Sequence, residues 1–446
     1  MRDDRTDHES PRNEKFYQGV GQMEYKEVQE RVCGEIKEME KEIVNILQEL
    51  VRIPSVVGHE GKAQQSMVDL YRSLGLEVIR FQADIEKVKN HPAFIDTEMP
   101  YENRPNIIGT LSGDRNSPSI ILNGHIDVVS PEPVSAWSHD PWGAEIEGER
   151  MYGRGTGDMK AGLLANFFAL KGILKAGLKP KGKVMLQSVI DEEAGGAGGT
   201  LACLMEGYTA DGMICTEPHN LNLTIAHAGV NYFRIKVEGK TSHAGLAHLG
   251  VNAIGKMYPI YHALIELDEK RGREVHFPLF EKGSGRSCHI NIGTMKAGDW
   301  PSNVAGSAEM ECRIGFVPGE KMDDIKRMIE NTVSEVAQRD PWLREHPPQL
   351  EWFGWKADPW YQDPNHPFVQ SFKNAAEGVL GREAEYIGRA GGIDSRFSQY
   401  FDMAAACTGP RATNIHGIDE YVEIPSVTQV TQILAMTVLR WCGYEA

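Results

Sequence analysis

Continuous apolar runs alternate with helix-like segments through the first half of the chain and again near its end. Apolar residues recur at helical spacing between residues 25 and 52, which predicts a long amphipathic helix. Runs too apolar for half-exposed strands occupy residues 119–124, 183–190, 211–216 and 403–409, with helical patterns such as residues 159–177 between them. Strands of this kind, interleaved with helices, are typical of a largely parallel sheet covered on both faces, so the pattern predicts an α/β domain.

The pattern changes in the middle of the chain. Alternating or short apolar stretches predict strands at residues 231–237, 287–295, 306–316 and 349–355, and helical spacing predicts helices at 250–270 and 319–338. The resulting order, β-α-β-β-α-β, is ferredoxin-like. We therefore expect an inserted α+β domain over residues 230–356, a surrounding domain built from residues 24–229 and 357–446, and a polar tail over residues 1–23.

Composition narrows the class of protein. A chain of 446 residues has room for two or three domains, and 25% charged residues with 41% hydrophobic residues are ordinary for a globular protein. The formal net charge of −16 disfavours contact with nucleic acid or with anionic lipid, because both carry negative charge. We expect neither nucleic acid nor a membrane to be a partner.

The chain shows no sign of export or of disulfide bonding. No apolar run approaches the roughly 20 residues that span a bilayer, and the N-terminal residues lack the apolar core of a signal peptide. Its seven cysteines are odd in number, scattered, and never spaced as Cys-x-x-Cys. We therefore expect a cytoplasmic protein with free thiols.

Histidines and carboxylates follow the predicted strands of the first domain. The residues concerned are His125, Asp127, Glu192, Glu193, Glu217 and His416, and Asp158 joins them from a glycine-rich turn before a predicted helix. Ligands of open α/β sheets bind at the carboxyl ends of the strands, so these side chains are expected to converge. Taken singly, each could equally be a satisfied polar group or a helix cap.

The residue types point to a metal. Two histidines with several carboxylates and no thiolate suit Zn²⁺, and Mn²⁺ or Co²⁺ would also fit. Other nucleophile and phosphate-binding motifs fail on inspection, since the chain has no Gly-x-Ser-x-Gly, no His-Glu-x-x-His and no complete P-loop.

Six sequence blocks occur in this order along the chain: NGHIDVV, GRGTGDMKAG, DEEAGG, TEPHN, GKTSHAG and NIHGIDEYV. They resemble the signature blocks of the M20 metallopeptidase family, which includes acetylornithine deacetylase, succinyl-diaminopimelate desuccinylase, aminoacylase and glutamate carboxypeptidase. The resemblance implies a catalytic α/β domain interrupted by a ferredoxin-like lid or dimerisation domain. That layout agrees with the order of the predicted elements.

The resemblance also implies a role for each strand-end residue. Asp158 would bridge two metal ions, with His125 and Glu217 completing one site and Glu193 and His416 the other. Asp127 would orient His125, and Glu192 would act as general base. The reaction implied is hydrolysis of an amide bond.

The inserted domain and a later loop would supply the remaining groups. By resemblance, His243 stabilises the oxyanion from across a homodimer interface formed by the lid, and Asn303 and Arg313 hold the substrate. A loop with Gly391, Gly392, Asp394 and Arg396 would also face the substrate. Arg313 could instead pair with a nearby acid such as Glu311. The loop sequence GGIDSRF differs from that of the desuccinylases, which leaves the identity of the substrate open.

Several functions therefore remain in competition. The leading hypothesis is removal of an acyl group from a small N-acyl amino acid or amine, as in acetylornithine deacetylase. A dipeptidase or carboxypeptidase, or a deformylase or deaminase of a heterocyclic or aromatic amine, is an alternative on the same fold. A non-catalytic binding protein is a more distant alternative, and the loss of ligands that would mark it is not seen.

Overall fold

Two main sheets organise the computed structural model, which describes residues 22–446, with side chains described from Tyr25 onward. The tail predicted for residues 1–23 lies outside the described residues, except that Gln22 and Met23 belong to the first helix. No helix within the described residues is long and apolar enough to cross a membrane.

Within the described part of the chain, the larger sheet has nine strands. Eight of them lie side by side in the order Glu77–Gln82, Pro105–Leu111, Val184–Val189, Ile120–His125, Gly212–Cys215, Ala404–Cys407, Leu223–His227 and Trp360–Tyr361, and Tyr386–Arg389 also pairs with Leu223–His227.

The four apolar runs predicted as strands form the centre of this sheet. Strands Val184–Val189, Ile120–His125, Gly212–Cys215 and Ala404–Cys407 run parallel to one another, whereas the strands flanking these four pair antiparallel to them. Ile120 and Leu122 point into a core cluster on one face, and Ile121 points into a second cluster on the other. The sheet is therefore covered on both faces, which confirms the predicted α/β class.

Helices surround this sheet. They are Gln22–Glu38, Glu40–Val51, Gly61–Ser73, Ile85–Val88, Ala161–Lys175, Ala202–Met205, Pro367–Leu380 and Ile424–Cys442. Short strands Glu145–Glu147, Arg150–Tyr152, Ala412–Thr413 and Tyr421–Glu423 make a small separate sheet, and Lys179–Pro180 pairs with Tyr444–Glu445.

The helix predicted over residues 25–52 is interrupted at Met39. The backbone N–H of Met39 is shared between the carbonyls of Glu35 and Ile36, at 3.3 and 3.1 Å, which tightens the turn. The chain therefore forms two consecutive helices rather than one, although Met39 itself stays buried in the same core.

The second main sheet lies in the middle of the chain. Its four strands have the order Ile290–Ala297, Ser307–Phe316, Gly229–Glu238 and Gln349–Ala357, and every neighbouring pair is antiparallel. Helices Ala253–Glu274 and Met322–Arg339 cover it and share a separate hydrophobic core with it, which the short helix Pro341–Glu345 joins through Leu343. This is the ferredoxin-like unit, and we call it the lid. The short helix Pro278–Ser284 packs instead against strand Tyr386–Arg389 of the larger sheet.

Candidate active site

The carboxyl ends of the parallel strands meet at one edge of the large sheet and carry the candidate site. His125 is the last residue of its strand, while Asp191, Glu192 and Glu193 follow shortly after the strand that ends at Val189. Parallel strands end at the same edge, so residues that are far apart in sequence meet there.

The first group of potential ligands combines His125, Asp158 and Glu217. The Nε2 atom of His125 lies 3.1 Å from Asp158 Oδ1 and 3.4 Å from Glu217 Oε1. One ligand atom from each of the three residues lies within 4.8 Å of the other two. This is the spacing expected of side chains that can close around one cation.

The second group combines Asp158, Glu193 and His416. The Nε2 atom of His416 lies 3.2 Å from Asp158 Oδ2 and 3.0 Å from Glu193 Oε2. Asp158 thus belongs to both groups and directs a different carboxylate oxygen to each. A shared carboxylate of this kind can bridge two cations.

Close packing of a helix against a strand end brings Asp158 to Glu217. Asp158 lies just before the helix Ala161–Lys175, and Gly162 in the first turn of that helix packs against the carbonyl of Thr216. A Cβ atom at Gly162 would lie 2.0 Å from that carbonyl oxygen, so only glycine permits the approach.

Asp127 is completely buried and connects the segment that follows His125 to the turn that carries Glu192 and Glu193. The imidazole Nδ1 of His125 lies 2.8 Å from the backbone oxygen of Asp127, and 3.6 Å from its carboxylate. The Asp127 carboxylate instead accepts hydrogen bonds from the backbone N–H groups of Glu192 and Glu193, at 3.4 and 3.1 Å. Asp127 therefore fixes the tautomer of His125 through its backbone and the position of the Glu192–Glu193 turn through its side chain.

Glu192 lies beside the two groups of potential ligands but belongs to neither. Its carboxylate lies 4.0 Å from His125 Nε2, and its side chain is 12% exposed, against 6% for Glu193. Burial, reinforced by the charge of Glu217, raises the pKa of Glu192 well above its usual value. A carboxyl group with a raised pKa at the mouth of a metal site is suited to exchange protons with a reacting molecule.

The electrostatics of the cluster favour a cation. Burial, together with the charge of Asp158, raises the pKa of Glu217 to about 7. Hydrogen bonds with Asp158 and Glu193 raise the pKa of His416 to about 10. Burial alone would lower the pKa of His125, but Glu217 and Asp158 raise it well above its usual value. Closely spaced carboxylates that raise the pKa values of neighbouring imidazoles mark a site with excess negative charge. A bound cation would neutralise that charge.

One oxygen of the cluster is left without a partner. Glu193 Oε1 is buried, and no described residue forms a hydrogen bond with it. A buried carboxylate oxygen that lacks a donor is costly unless a cation neutralises it. Together with the nitrogen and oxygen donors of the two groups, this oxygen fits a centre of two divalent ions.

The predicted site residues His243 and Asn303 are not among the potential ligands of this cluster. They face each other through an isolated β-bridge, both side chains are exposed, and Asn303 donates to Asp299. His243 Nδ1 accepts a hydrogen bond from the N–H of Gly245, which leaves its Nε2 available for another contact. Among the described residues no contact joins either side chain to the cluster, so their catalytic roles stay predictions.

Arg313 connects the lid to the glycine-rich loop. Its Nη2 donates to the carbonyl of Ala390 at 2.8 Å, immediately before Gly391 and Gly392. Glu311, the alternative partner considered for Arg313, forms its ion pair with Arg234 instead. Arg313 therefore stands next to the predicted substrate loop rather than in a surface ion pair with Glu311.

Asp394 and Arg396 are buried beneath the site. Their side chains are 2% exposed, and Arg396 Nη2 donates to the carbonyl of Gly195 at 2.6 Å. Gly195 ends the turn that carries Glu192 and Glu193, so Arg396 supports the acidic turn from below. Direct contact of these two side chains with a substrate stays a prediction, and their burial favours a supporting role.

Sequence reasoning missed a buried network behind the same turn. Arg104 forms hydrogen bonds with both oxygens of Glu60 and with Asp191, and Tyr101 donates its hydroxyl to Asp191. Glu60 and Arg104 lie on segments with no recognisable motif, so nothing in the sequence singles them out. Asp191 belongs to the DEEAGG block and could have been suspected from its place beside the two functional glutamates.

A family model and curated relatives match the chain. The model for peptidase family M20/M25/M40 matches residues 121–440. An N-formyl-4-amino-5-aminomethyl-2-methylpyrimidine deformylase from Halalkalibacterium halodurans is 30% identical over 363 residues, which cover 77% of this chain and 84% of the relative.

Solved structures with the same fold are more distant in sequence. The aminopeptidase PepT from Bacillus cereus superposes with a TM-score of 0.70 at 20% identity, covering 90% of this chain and 98% of that one. The YXEP protein of Bacillus subtilis, described as a dinuclear metal-binding peptidase of the M20 family, superposes with a TM-score of 0.61 at 16% identity, covering 90% and 98% of the two chains.

Proposed function

The chain belongs to peptidase family M20/M25/M40 and is a hydrolase of amide C–N bonds, and we propose that it uses a dinuclear metal centre to remove a short acyl group from the nitrogen of a small amine. The observation that carries the proposal is the sharing of Asp158 between two groups of potential ligands, each completed by one histidine and one glutamate.

The ligands divide between two ions. His125, Asp158 and Glu217 would hold one, and Asp158, Glu193 and His416 the other, with Zn²⁺ as the first choice and Co²⁺ or Mn²⁺ as alternatives. When bound, such ions supply Lewis acidity toward the scissile carbonyl and the attacking water.

Glu192 is the proposed general base. It faces the cluster without belonging to either group of ligands, so its carboxylate is available to take a proton from the attacking water. The same carboxyl group can then donate that proton to the leaving nitrogen. The backbone N–H groups of Glu192 and Glu193 are held by Asp127, so the base and the adjacent ligand keep fixed relative positions.

A formylated or otherwise short-chain N-acyl heterocyclic amine is the proposed substrate class. The support is the likeness to the Halalkalibacterium halodurans deformylase, which covers most of both chains. A second candidate is an N-acyl amino acid, as expected from the sequence, because the Arg313 guanidinium stands beside the glycine-rich loop and could bind a carboxylate.

We also propose that two copies of the chain associate through the lid. Ile290–Ala297 is one of the two edge strands of its sheet as described, and large apolar side chains are exposed in the lid at Leu249, Ile254, Tyr258, Met295 and Trp300. His243 and Asn303 lie in the same part of the lid. Such an arrangement would allow these two exposed side chains to reach the site of the partner subunit.

A substrate panel tests the proposed reaction. Protein reconstituted with Zn²⁺ is offered formylated aminopyrimidines, N-acetyl and N-formyl amino acids, and dipeptides, and release of the free amine is measured. We expect the highest kcat/KM for a formylated heterocyclic amine. A preference for N-acyl amino acids would favour the second candidate, and turnover of dipeptides alone would contradict both.

A further inference from the structure

The Glu420 carboxylate binds the backbone segment that carries Asp158, the carboxylate shared by the two groups of ligands. It is fully buried, and its Oε1 accepts hydrogen bonds from the N–H groups of Gly155, Gly157 and Asp158, at 3.1, 3.0 and 3.1 Å. Its backbone carbonyl accepts a further bond from Gly153 at 2.9 Å. One side chain thus satisfies three of the four backbone donors between Gly155 and Asp158, and the N–H of Thr156 donates to Gly153 instead.

The other oxygen of Glu420 engages Arg154, which reaches the second loop of the site. Arg154 Nη1 forms an ion pair with Glu420 Oε2, and its Nη2 donates to the carbonyl of Gly417 at 2.9 Å. Gly417 follows His416 directly. The Arg154–Glu420 pair therefore joins the loop of Asp158 to the loop of His416 through charged hydrogen bonds in a water-excluded environment.

The close approach of these loops depends on a glycine. A Cβ atom at Gly157 would lie 2.4 Å from Cβ of Ala412 and 3.4 Å from Glu420 Oε1. The side chain of Glu420 has both oxygens occupied by the protein, so it is not itself a metal ligand. Its hydrogen bonds instead fix the position of the backbone that precedes and includes Asp158.

We propose that Glu420 and Arg154 are positioning residues that set the distance between Asp158 and His416 and thereby assemble the second of the two cation sites. The first site is less dependent on them, because His125 is fixed at the end of a central strand and Glu217 follows another. The inference rests on the proposed function in that it presumes a cation at each site. Its readout, however, is metal affinity and not turnover.

Titration of chelator-treated protein with Zn²⁺ in a calorimeter measures the two sites separately. Wild type is expected to bind two equivalents. In Glu420→Ala the affinity for one equivalent should fall on the order of 10- to 100-fold, as for other residues that orient metal ligands, while the other equivalent, which also uses Asp158, should weaken less. His416→Ala should weaken the same equivalent.

Two further variants separate positioning from folding. Glu420→Gln keeps an oxygen for the three N–H groups but loses the charge, so it should retain more affinity than Glu420→Ala. Arg154→Met keeps the hydrogen bonds between Glu420 and the Asp158 segment but removes the hydrogen bond to Gly417. It should therefore also lower the affinity for one equivalent of Zn²⁺. Glu320→Gln is the matched control, because it removes a carboxylate from a distant ion pair with Arg271 in the lid and should leave both equivalents unchanged.

The outcomes distinguish this inference from the proposed function. Unchanged affinity for both equivalents in folded Glu420→Gln and Arg154→Met would overturn the positioning role while leaving the dinuclear centre intact. Equal weakening of both equivalents would also overturn it, because the effect would not be specific to the His416 site. If the wild type itself bound fewer than two equivalents, the proposed dinuclear centre would fail first.

Discussion

Asp158 Oδ2 lies 3.2 Å from Nε2 of His416, although the two residues come from the first half and the end of the chain. The other oxygen of the same carboxylate faces His125, so a single side chain stands between two imidazoles. The chemistry proposed for this protein depends on that arrangement.

Removal of metal should abolish activity. A chelator is expected to lower turnover of the best substrate to background, and Zn²⁺, Co²⁺ or Mn²⁺ should restore it, because no alternative nucleophile motif occurs in the sequence. Activity and bound metal are measured on the same samples. Full turnover by protein shown to be metal-free would contradict the mechanism.

The neighbouring residues Glu192 and Glu193 should respond differently to loss of charge. Glu192→Gln is expected to keep both metal equivalents and to lose turnover on the order of 100- to 10,000-fold, because it removes the proposed base and no ligand. Glu193→Gln should lose one equivalent, since Glu193 Oε2 lies 3.0 Å from the His416 imidazole. If Glu192→Gln lost metal and Glu193→Gln kept it, the two assignments would have to be exchanged.

His243 should act in the site of a partner subunit. A mixture of His243→Ala and Asp158→Ala subunits is expected to recover part of the wild-type activity, because each hybrid dimer contains one site with both groups intact. The expectation follows from the exposure of His243 and from its lying outside both groups of potential ligands. Subunit exchange is verified with differently tagged chains, and exchange without recovery would place His243 outside the reaction.

Arg313 should influence the choice between the two substrate candidates. Arg313→Lys is expected to lower kcat/KM for carboxylate-bearing substrates by 10-fold or more if the guanidinium binds them, because a lysine cannot form two parallel hydrogen bonds, each worth about 1.5 to 3 kcal/mol when charged. A formylated heterocyclic amine without a carboxylate should be affected less. Equal loss on both substrate types would assign Arg313 to support of the Ala390 loop alone.

His227 should make the fold sensitive to acid. Burial lowers its pKa from 6.5 to about 3, and its Nε2 is buried with no partner among the described residues. The unfolded chain takes up a proton on this imidazole below pH 6.5 while the folded protein does not, so stability falls as the pH falls from about 6.5 toward 3.

Comparison with an untitratable side chain isolates this effect. His227→Asn keeps a donor for the Ala228 carbonyl, and its stability relative to wild type is measured by urea unfolding at pH 7.5 and 5.5. The advantage of wild type should shrink by about 1.4 kcal/mol at the lower pH. An advantage that does not change with pH would show that His227 can be protonated in the folded state.

The sequence predicted the strand ends well because their signals are local. Three of the four central strands are apolar runs that end in a histidine or are followed within two residues by an acid, and parallel pairing then brings these ends together. The interruption at Met39 could not be foreseen, since the apolar spacing continues through it and only a shared backbone hydrogen bond marks the break.

Supporting residues were harder to predict than ligands. Arg396 and Asp394 follow a glycine-rich segment that suggests an exposed loop, yet tertiary packing buries both beneath the acidic turn. Glu420 lies in the NIHGIDEYV block, but its partners are backbone N–H groups more than 260 positions earlier, a contact that no pattern reveals. Groups that act through the backbone leave little trace in sequence.

Anomalous diffraction from zinc-loaded crystals would test the central claim most directly. Two zinc peaks are predicted, one bounded by His125, Asp158 and Glu217 and the other by Asp158, Glu193 and His416, with the Asp158 carboxylate between them. A single peak at either group, or peaks that do not contact Asp158, would contradict a dinuclear centre bridged by this residue.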